Sequence, residues 1–403
     1  MTHYLPKSFL FAGVTCGIKT RAGAKDLTVI VSERPAVAAG VYTQNQVVAA
    51  PVVLCRERTP LTTARAIVVN SGNANACTGT QGDADARRMC ELVAAACGEQ
   101  LGEEITAGQA LVMSTGVIGR LLPMEKVTVG IQHAAAALAA GQAAFLDASD
   151  GILTTDAGRK ITSRECSVAG RLIHIAGMAK GAGMIGPNMA TMLCCILTDA
   201  PLTAVQAQHM LTAAANKSFN NISVEGHTST NDTMLLMANG AAGGVPLTGA
   251  EESAFAAHLD AMCIELAKQI PADGEGATHL IEISVTGAQT ESDARKISKE
   301  VANSNLVKSA VFGGDPNWGR IVSAAGYAGV PIQTDRLDLQ INGIPLFKSG
   351  EPLAFDAKAA SRSIRENHTT LIELNVGDGN GECRHWTSDL TLDYVRFNSE
   401  YTT

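Results

Sequence analysis

The chain has 403 residues, of which 46% are hydrophobic and 17% charged. That length suggests two or three domains, and the composition excludes a disordered chain. The 31 basic and 39 acidic side chains give a net charge of −8 without any Lys/Arg cluster, which argues against a nucleic-acid or anionic-membrane partner. No apolar run reaches the roughly 18 residues that span a bilayer, and the N-terminus lacks a signal-peptide cleavage site. We therefore predict a cytoplasmic protein.

The ten cysteines and nine histidines show no metal-ligand spacing. Neither a Cys-x-x-Cys pair nor a His-Glu-x-x-His motif occurs. Most cysteines stand in apolar strings, such as Cys194-Cys195, which is typical of buried, reduced thiols. The sequence predicts no bound metal and no resident cofactor.

Short apolar strands alternate with helices along the chain. Several strands are continuous apolar runs, which indicates sheets covered on both faces. Capping boxes at Thr203 and Thr248 predict helices over 203–218 and 248–271, and Thr80-x-x-Asp83 indicates a third helix. The predicted strands are 27–31, 66–69, 110–113, 172–176, 191–197, 234–237, 280–285, 337–341 and 371–376.

The clearest sign of a domain boundary is the turn-rich segment 271–276, which is followed by a strand and a new series of alternating strands and helices. We therefore predict a domain boundary near residue 280, with a smaller C-terminal α/β domain over residues 281–403. The predicted fold class is α/β or α+β, built from layers of sheets and helices.

The densest unusual segment is Lys180-Gly-Ala-Gly-Met-Ile-Gly-Pro-Asn-Met-Ala-Thr191. One interpretation is a dinucleotide-binding Gly-x-Gly-x-x-Gly loop, but such a loop must lead into a helix, and an apolar, strand-like run follows here. A second is a tight turn that delivers Thr191 to a buried strand. An α-amine released there by chain cleavage could act as the base for the hydroxyl of the same residue. An ordinary glycine-rich loop before a core strand is the third.

This segment closely resembles the processing site of the ornithine acetyltransferase (glutamate N-acetyltransferase) family of arginine biosynthesis. Other blocks resemble those of the family, in the same order and over almost the whole chain. They are Asn70-Ser-Gly-Asn-Ala-Asn-Ala76, Ser114-Thr-Gly-Val-Ile-Gly119, Thr154-Thr-Asp156, Ser229-Thr-Asn-Asp232, Asp273-Gly-Glu-Gly-Ala-Thr278, Phe312-Gly-Gly-Asp-Pro-Asn-Trp-Gly-Arg320 and Tyr394-Val-Arg-Phe-Asn398.

The resemblance implies an αββα-type sandwich as a catalytic core over residues 1–280, in a precursor that cuts itself between Ala190 and Thr191. Residues 1–190 would become an α chain and residues 191–403 a β chain, and α2β2 assemblies are expected. Thr191 would take the acetyl group of N-acetyl-L-ornithine as an ester and pass it to L-glutamate in a ping-pong cycle. No local pattern shows whether acetyl-CoA can also serve as donor.

The family also implies roles for individual residues. The Thr115 hydroxyl and the Gly116 amide would form the oxyanion hole. Substrate contacts would come from Thr154, Lys180, Thr191 and Glu275, and from Asn398 and Thr403 in a C-terminal tail that returns to the active site. A self-processing aminopeptidase, which passes the acyl group to water, is the nearer alternative function. A dinucleotide-binding oxidoreductase is the distant one.

Overall fold

The structure is a computed structural model that describes residues 3–168, 170–186 and 192–400. Ala190, Thr191 and Thr403 lie outside the described residues, so the expectations for these three positions stay predictions. Among the helices of the described part of the chain, none combines the length and the apolar character that a membrane crossing requires.

Strands and helices alternate along the described chain. The strands are β1 (Phe9–Val14), β2 (Leu27–Tyr42), β3 (Leu61–Asn73), β4 (Ala110–Val117), β5 (Lys160–Val168), β6 (Arg171–Lys180), β7 (Leu193–Thr198), β8 (Ile222–Ser223), β9 (Thr233–Ala238), β10 (Leu280–Ala288), β11 (Asp338–Ile341), β12 (Ile344–Lys348), β13 (Glu351–Pro352), β14 (Thr369–Asn375) and β15 (Gly381–Ser388). The helices are α1 (Ala50–Arg58), α2 (Gly79–Leu101), α3 (Met124–Ala136), α4 (Gln142–Gly151), α5 (Ala204–Lys217), α6 (Ala250–Ala272), α7 (Glu291–Asn303), α8 (Asn305–Gly313), α9 (Trp318–Gly326), α10 (Ala357–Glu366) and α11 (Leu392–Glu400).

The larger sheet has the strand order β4-β3-β2-β9-β7-β6-β5, with β1 paired to β2. Helices α1 to α4 pack on one of its faces and α5 and α6 on the other. Strand β7 is apolar from Leu193 to Leu197 because both of its faces are buried: Cys195 belongs to the first core, whereas its neighbours Cys194 and Ile196 belong to the second. A strand with both faces covered must be apolar at every position.

The second sheet has the order β13-β12-β11-β14-β10-β15-β8. Helices α7 to α10 cover one of its faces and form a third core. Trp386 of β15 instead joins the core that contains α5 and α6, so α6 lies between the two sheets at this point. Strand β10 begins at Leu280, but β8 reaches this sheet from residues 222–223, and the division into two domains stays a prediction.

The layered α/β class that the sequence predicts is confirmed. Helix α5 begins at the expected capping box, where Thr203 Oγ1 accepts a hydrogen bond from the Gln206 N–H. The capping box predicted at Thr248 is wrong, because α6 begins after Gly249, whose φ is +55. That left-handed turn presents the carbonyl of Thr248, rather than its hydroxyl, to the N–H of Glu251 (3.1 Å).

Candidate active site

The predicted site residues lie where strands of the larger sheet begin and end. Lys180, the last residue of β6, pairs with Leu193 at the start of β7, and Leu193 pairs in turn with Thr233 at the start of β9. The end of β4 is held at the same edge, because the Asn231 side-chain amide donates to the carbonyl of Ser114 (2.9 Å). Four strand termini therefore lie near one another, and polar residues stand at or beside three of them.

Thr115 and Gly116 offer two adjacent hydrogen-bond donors at the end of β4. Thr115 is 2% exposed, and its Oγ1 accepts a hydrogen bond from Lys180 Nζ (3.3 Å). Since the oxygen is engaged as an acceptor, the hydroxyl proton is free to point at a substrate. Gly116 is exposed and has φ +129, and a Cβ added there would lie 2.3 Å from the carbonyl carbon of Gly72. Only glycine fits this position.

Lys180 is a buried cation next to a buried carboxylate. Burial lowers the pKa of Lys180, and Lys160 lowers it further, whereas Asp156 acts in the opposite direction. Burial by itself would raise the pKa of Asp156, but Lys180 and Lys160 hold it well below its usual range. Asp156 Oδ1 also accepts a hydrogen bond from the Gly181 N–H (2.7 Å), which fixes the main chain directly after Lys180.

Glu275 follows α6 and contacts the segment that leads to the predicted cleavage site. Its N–H donates to the carbonyl of Ala182 (2.9 Å), and a Cβ on Gly183 would fall 2.4 Å from its Oε2. The Thr155 hydroxyl donates to Oε1 (2.7 Å), and Asn398 Nδ2 donates to Oε2 (3.1 Å). Both side-chain donors are neutral, so neither of them places a positive charge beside this carboxylate.

Helix α11 lies against the turn that carries Glu275. The Thr391 hydroxyl donates to the carbonyl of Gly276 (2.7 Å), and a Cβ on Gly276 would lie 2.4 Å from the main-chain nitrogen of Tyr394. Burial raises the pKa of Tyr394 to about 12. The C-terminal segment, which would otherwise fray, thus packs on the site and brings Asn398 to Glu275.

Thr154 and Thr155 make different contacts in the structure, although the sequence alone does not distinguish their roles. Thr154 donates its main-chain N–H to Asp156 Oδ2 (2.9 Å), while it is the hydroxyl of Thr155 that reaches Glu275. A substrate contact from Thr154 stays a prediction.

Asp232 is a functional candidate that the sequence reasoning missed. It is fully buried, and its Oδ1 accepts a hydrogen bond from the N–H of Met192 (3.1 Å), the residue directly after Thr191. Its Oδ2 has no hydrogen-bond partner in the described part of the chain. Burial raises the pKa of Asp232 well above its usual range. An acidic residue immediately before the fully buried strand β9 was the available signal.

The first element described after the glycine-rich segment is strand β7, which begins at Leu193. A pyrophosphate-binding loop leads into a helix, so the described residues do not support the dinucleotide interpretation. Within residues 3–168, 170–186 and 192–400, no group of three or more His, Cys, Asp or Glu side chains could hold a metal ion.

Two adjacent residues with hydrogen-bond donors, beside a buried cation, form the kind of arrangement that can stabilise a developing oxyanion. The family model of the ArgJ family matches residues 10–403, and the chain belongs to that family. The arginine biosynthesis bifunctional protein ArgJ of Rhodopirellula baltica is 49% identical over 405 residues, with 100% of this chain and 97% of the relative covered.

Two solved structures are also similar to the chain. The arginine biosynthesis bifunctional protein argJ of Bacillus halodurans is 41% identical with a TM-score of 0.49, covering 50% of this chain and 96% of that one. The ornithine acetyltransferase of Mycobacterium tuberculosis, complexed with ornithine, is 40% identical with a TM-score of 0.43. It covers 46% of this chain and 95% of that one.

Proposed function

We propose that the protein transfers the acetyl group of N-acetyl-L-ornithine to L-glutamate, after it has cut itself between Ala190 and Thr191. Membership of the ArgJ family makes the chain an acyltransferase of arginine biosynthesis. The observation that carries the proposal is the hydrogen bond from the buried Lys180 to the Thr115 hydroxyl, beside the exposed Gly116. This arrangement supplies the donors that an acyl-transfer intermediate requires.

In this proposal Thr191, as a new N-terminus, attacks the acetyl carbonyl while its own α-amine takes the hydroxyl proton. The unperturbed pKa of an α-amine, about 7.7–8.0, suits a base at neutral pH. The carbonyl oxygen becomes an alkoxide that accepts hydrogen bonds from Thr115 and Gly116. Collapse of the intermediate breaks the amide bond, and the departing ornithine amine takes the proton from the Thr191 ammonium. The amine of glutamate then attacks the acetyl ester on Thr191, the ester C–O bond breaks as the new amide bond forms, and the proton lost by the amine returns to the Thr191 oxygen by way of its α-amine.

The neighbouring residues support these steps. The positive charge of Lys180 would lower the pKa of the Thr191 amine, and its hydrogen bond orients the Thr115 hydroxyl. Asp232 holds the main chain one residue after Thr191 through the N–H of Met192. These contacts favour a fixed position for the nucleophile, which acyl transfer needs.

We further propose that Glu275 binds the side-chain amino group of ornithine, because a carboxylate hydrogen-bonded by neutral donors can pair with a cation. Asn398 and Thr403 of the C-terminal tail, together with Thr154 and Lys180, complete the proposed substrate contacts. We propose that the protein forms an α2β2 assembly in the cytoplasm and has no resident cofactor. The use of acetyl-CoA as a second acetyl donor is tested by comparing glutamate acetylation with acetyl-CoA and with N-acetylornithine.

The proposal is tested by electrophoresis and product analysis of the purified protein. Under denaturing conditions the wild type should run as two polypeptides, residues 1–190 and 191–403. Thr191→Ala should run as one, and Thr248→Ala, at an exposed threonine, should be cut like the wild type. Incubation with N-acetylornithine and glutamate should yield N-acetylglutamate. A fully active, uncut wild type would contradict self-cleavage, and acyl transfer to water alone would favour the aminopeptidase alternative.

A further inference from the structure

Lys160 is a buried cation that lies between two carboxylates. It is the first residue of β5 and is 2% exposed. Its Nζ donates to Asp156 Oδ1 (2.7 Å) and to Asp273 Oδ2 (2.5 Å). The Asp156 side chain is fully buried, and that of Asp273 is 24% exposed. A buried charge is costly unless it is paired in this way, so the position of each carboxylate depends on Lys160.

The first carboxylate connects Lys160 to the proposed oxyanion site. Asp156 Oδ1 accepts from both Lys160 and the N–H of Gly181, and Gly181 directly follows Lys180. Lys180 in turn donates to Thr115. Three hydrogen bonds, by way of Asp156 and Lys180, therefore connect Lys160 to the Thr115 hydroxyl that would face the acetyl group.

The second carboxylate connects Lys160 to the turn that carries Glu275. Asp273 Oδ2 also accepts from the N–H of Ala157 (3.0 Å), and Asp273 lies two residues before Glu275. These bonds join residues before the proposed cleavage point to residues after it. In a cut protein they are non-covalent links between the two polypeptides, and they would help to hold the turn of Glu275 against the segment that precedes the cleavage point.

We propose that Lys160 and Asp273 are positioning residues that set the distance between Glu275 and the oxyanion site, and thereby select donors with a side-chain amino group. This inference rests on the proposed function, in which Glu275 binds that amino group. A hydrogen bond between charged groups depends strongly on distance, so a small shift of the 273–276 turn would weaken amine binding without removing the chemistry at Thr115.

Asp273→Asn tests this role directly. The amide keeps an oxygen that can accept from Ala157 but removes the charge that pairs with Lys160. We expect KM for N-acetylornithine to rise about tenfold, with kcat changed by less than about twofold. KM for N-acetylnorvaline, which lacks the terminal amino group, should stay at the wild-type value. Asp273→Glu restores the charge and should recover part of the preference.

Asp150→Asn is the matched control. Asp150 accepts from Arg159 (2.6 Å), the residue next to Lys160, and its side chain is 30% exposed. The substitution removes an equivalent charge from a neighbouring ion pair that does not reach Glu275. It should leave both KM values unchanged.

Lys160→Met breaks the same ion pair from the other polypeptide and should cause the same selective rise in KM, with a fall in kcat because the buried Asp156 loses a partner as well. It carries the test if Asp273→Asn does not fold. Because both changes remove the ion pair between Lys160 and Asp273, the rise in KM of the double variant should be less than the product of the two single rises. A rise in KM that is equal for both donors, or no rise beyond that of Asp150→Asn, would overturn the inference.

The wild type separates failure of the inference from failure of the proposed function. A wild type with no preference for N-acetylornithine over N-acetylnorvaline would contradict Glu275 as the amino-group contact, and with it this inference. A wild-type preference that survives in both Asp273→Asn and Lys160→Met would contradict the inference alone.

Discussion

A methyl group added at Gly116 would strike the backbone of the neighbouring strand. The Cβ of an alanine there would lie 2.3 Å from the carbonyl carbon of Gly72 and 2.5 Å from the nitrogen of Asn73. Both are main-chain atoms of β3, which cannot rotate away as a side chain could. The φ of +129 is also a conformation that is essentially restricted to glycine. In Gly116→Ala the end of β4 must therefore move.

The cost of this change has a conformational and a steric part. A strained backbone costs about 1–3 kcal/mol, and overpacking about the same, so the free energy of unfolding should fall by about 2–6 kcal/mol. The proposed oxyanion donor moves together with the strand. Removal of one such donor lowers kcat by about 10²–10³, and we expect a loss of that size.

The assay is kcat for N-acetylglutamate formation at saturating N-acetylornithine and glutamate, with urea unfolding of the same preparation. Gly119→Ala is the control, because Gly119 also has a positive φ (+79) but an added Cβ would have no atom within 4 Å. The control should lose only about 1 kcal/mol and keep its kcat. A folded Gly116→Ala enzyme whose kcat matches that of Gly119→Ala would refute the assignment.

Two further variants test other parts of the account. Lys180→Met removes the hydrogen bond to Thr115 and should lower kcat about 100-fold. Lys217→Met, at an exposed lysine, is the control and should keep the wild-type kcat. Equal kcat values for the two variants would contradict the role of Lys180. His385 is fully buried, and neither ring nitrogen has a hydrogen-bond partner in the described part of the chain; burial lowers its pKa to about 3. In the unfolded chain this histidine has a pKa of about 6.5, so between pH 6.5 and pH 3 the unfolded chain binds more protons than the folded protein. The contribution of His385 to stability is therefore complete above pH 6.5 and is lost as the pH falls. Between pH 7 and pH 5, the free energy of unfolding measured with urea should fall by about 2 kcal/mol more for the wild type than for His385→Leu. Equal falls in the two proteins would contradict this reasoning.

The fold was largely predictable because burial leaves local signatures. The apolar residues of β7 and β9 indicated strands covered on both faces, and both lie inside the larger sheet. The start of α5 followed from a side-chain cap at Thr203 that depends on four consecutive residues. The start of α6 could not be predicted in the same way, because the positive φ of Gly249 decides which group of Thr248 meets the helix.

The candidate residues could be named where the resemblance supplied them, but contacts between distant parts of the chain could not be predicted. Thr115, Lys180 and Glu275 stand in sequence blocks, and the structure gathers them at one edge of the sheet. The ion pair of Lys160 with Asp273 joins residues 113 positions apart. No local pattern encodes such a pair, because it forms only when β5 packs against the end of α6.

The central claim is that Thr191, freed at its amino end, carries the acetyl group. Mass spectrometry of the enzyme incubated with N-acetylornithine but without glutamate tests it most directly. We predict that the polypeptide of residues 191–403 gains about 42 Da on Thr191, and that added glutamate removes this mass. Formation of N-acetylglutamate by an intact chain with no acetyl group on Thr191 would contradict the claim.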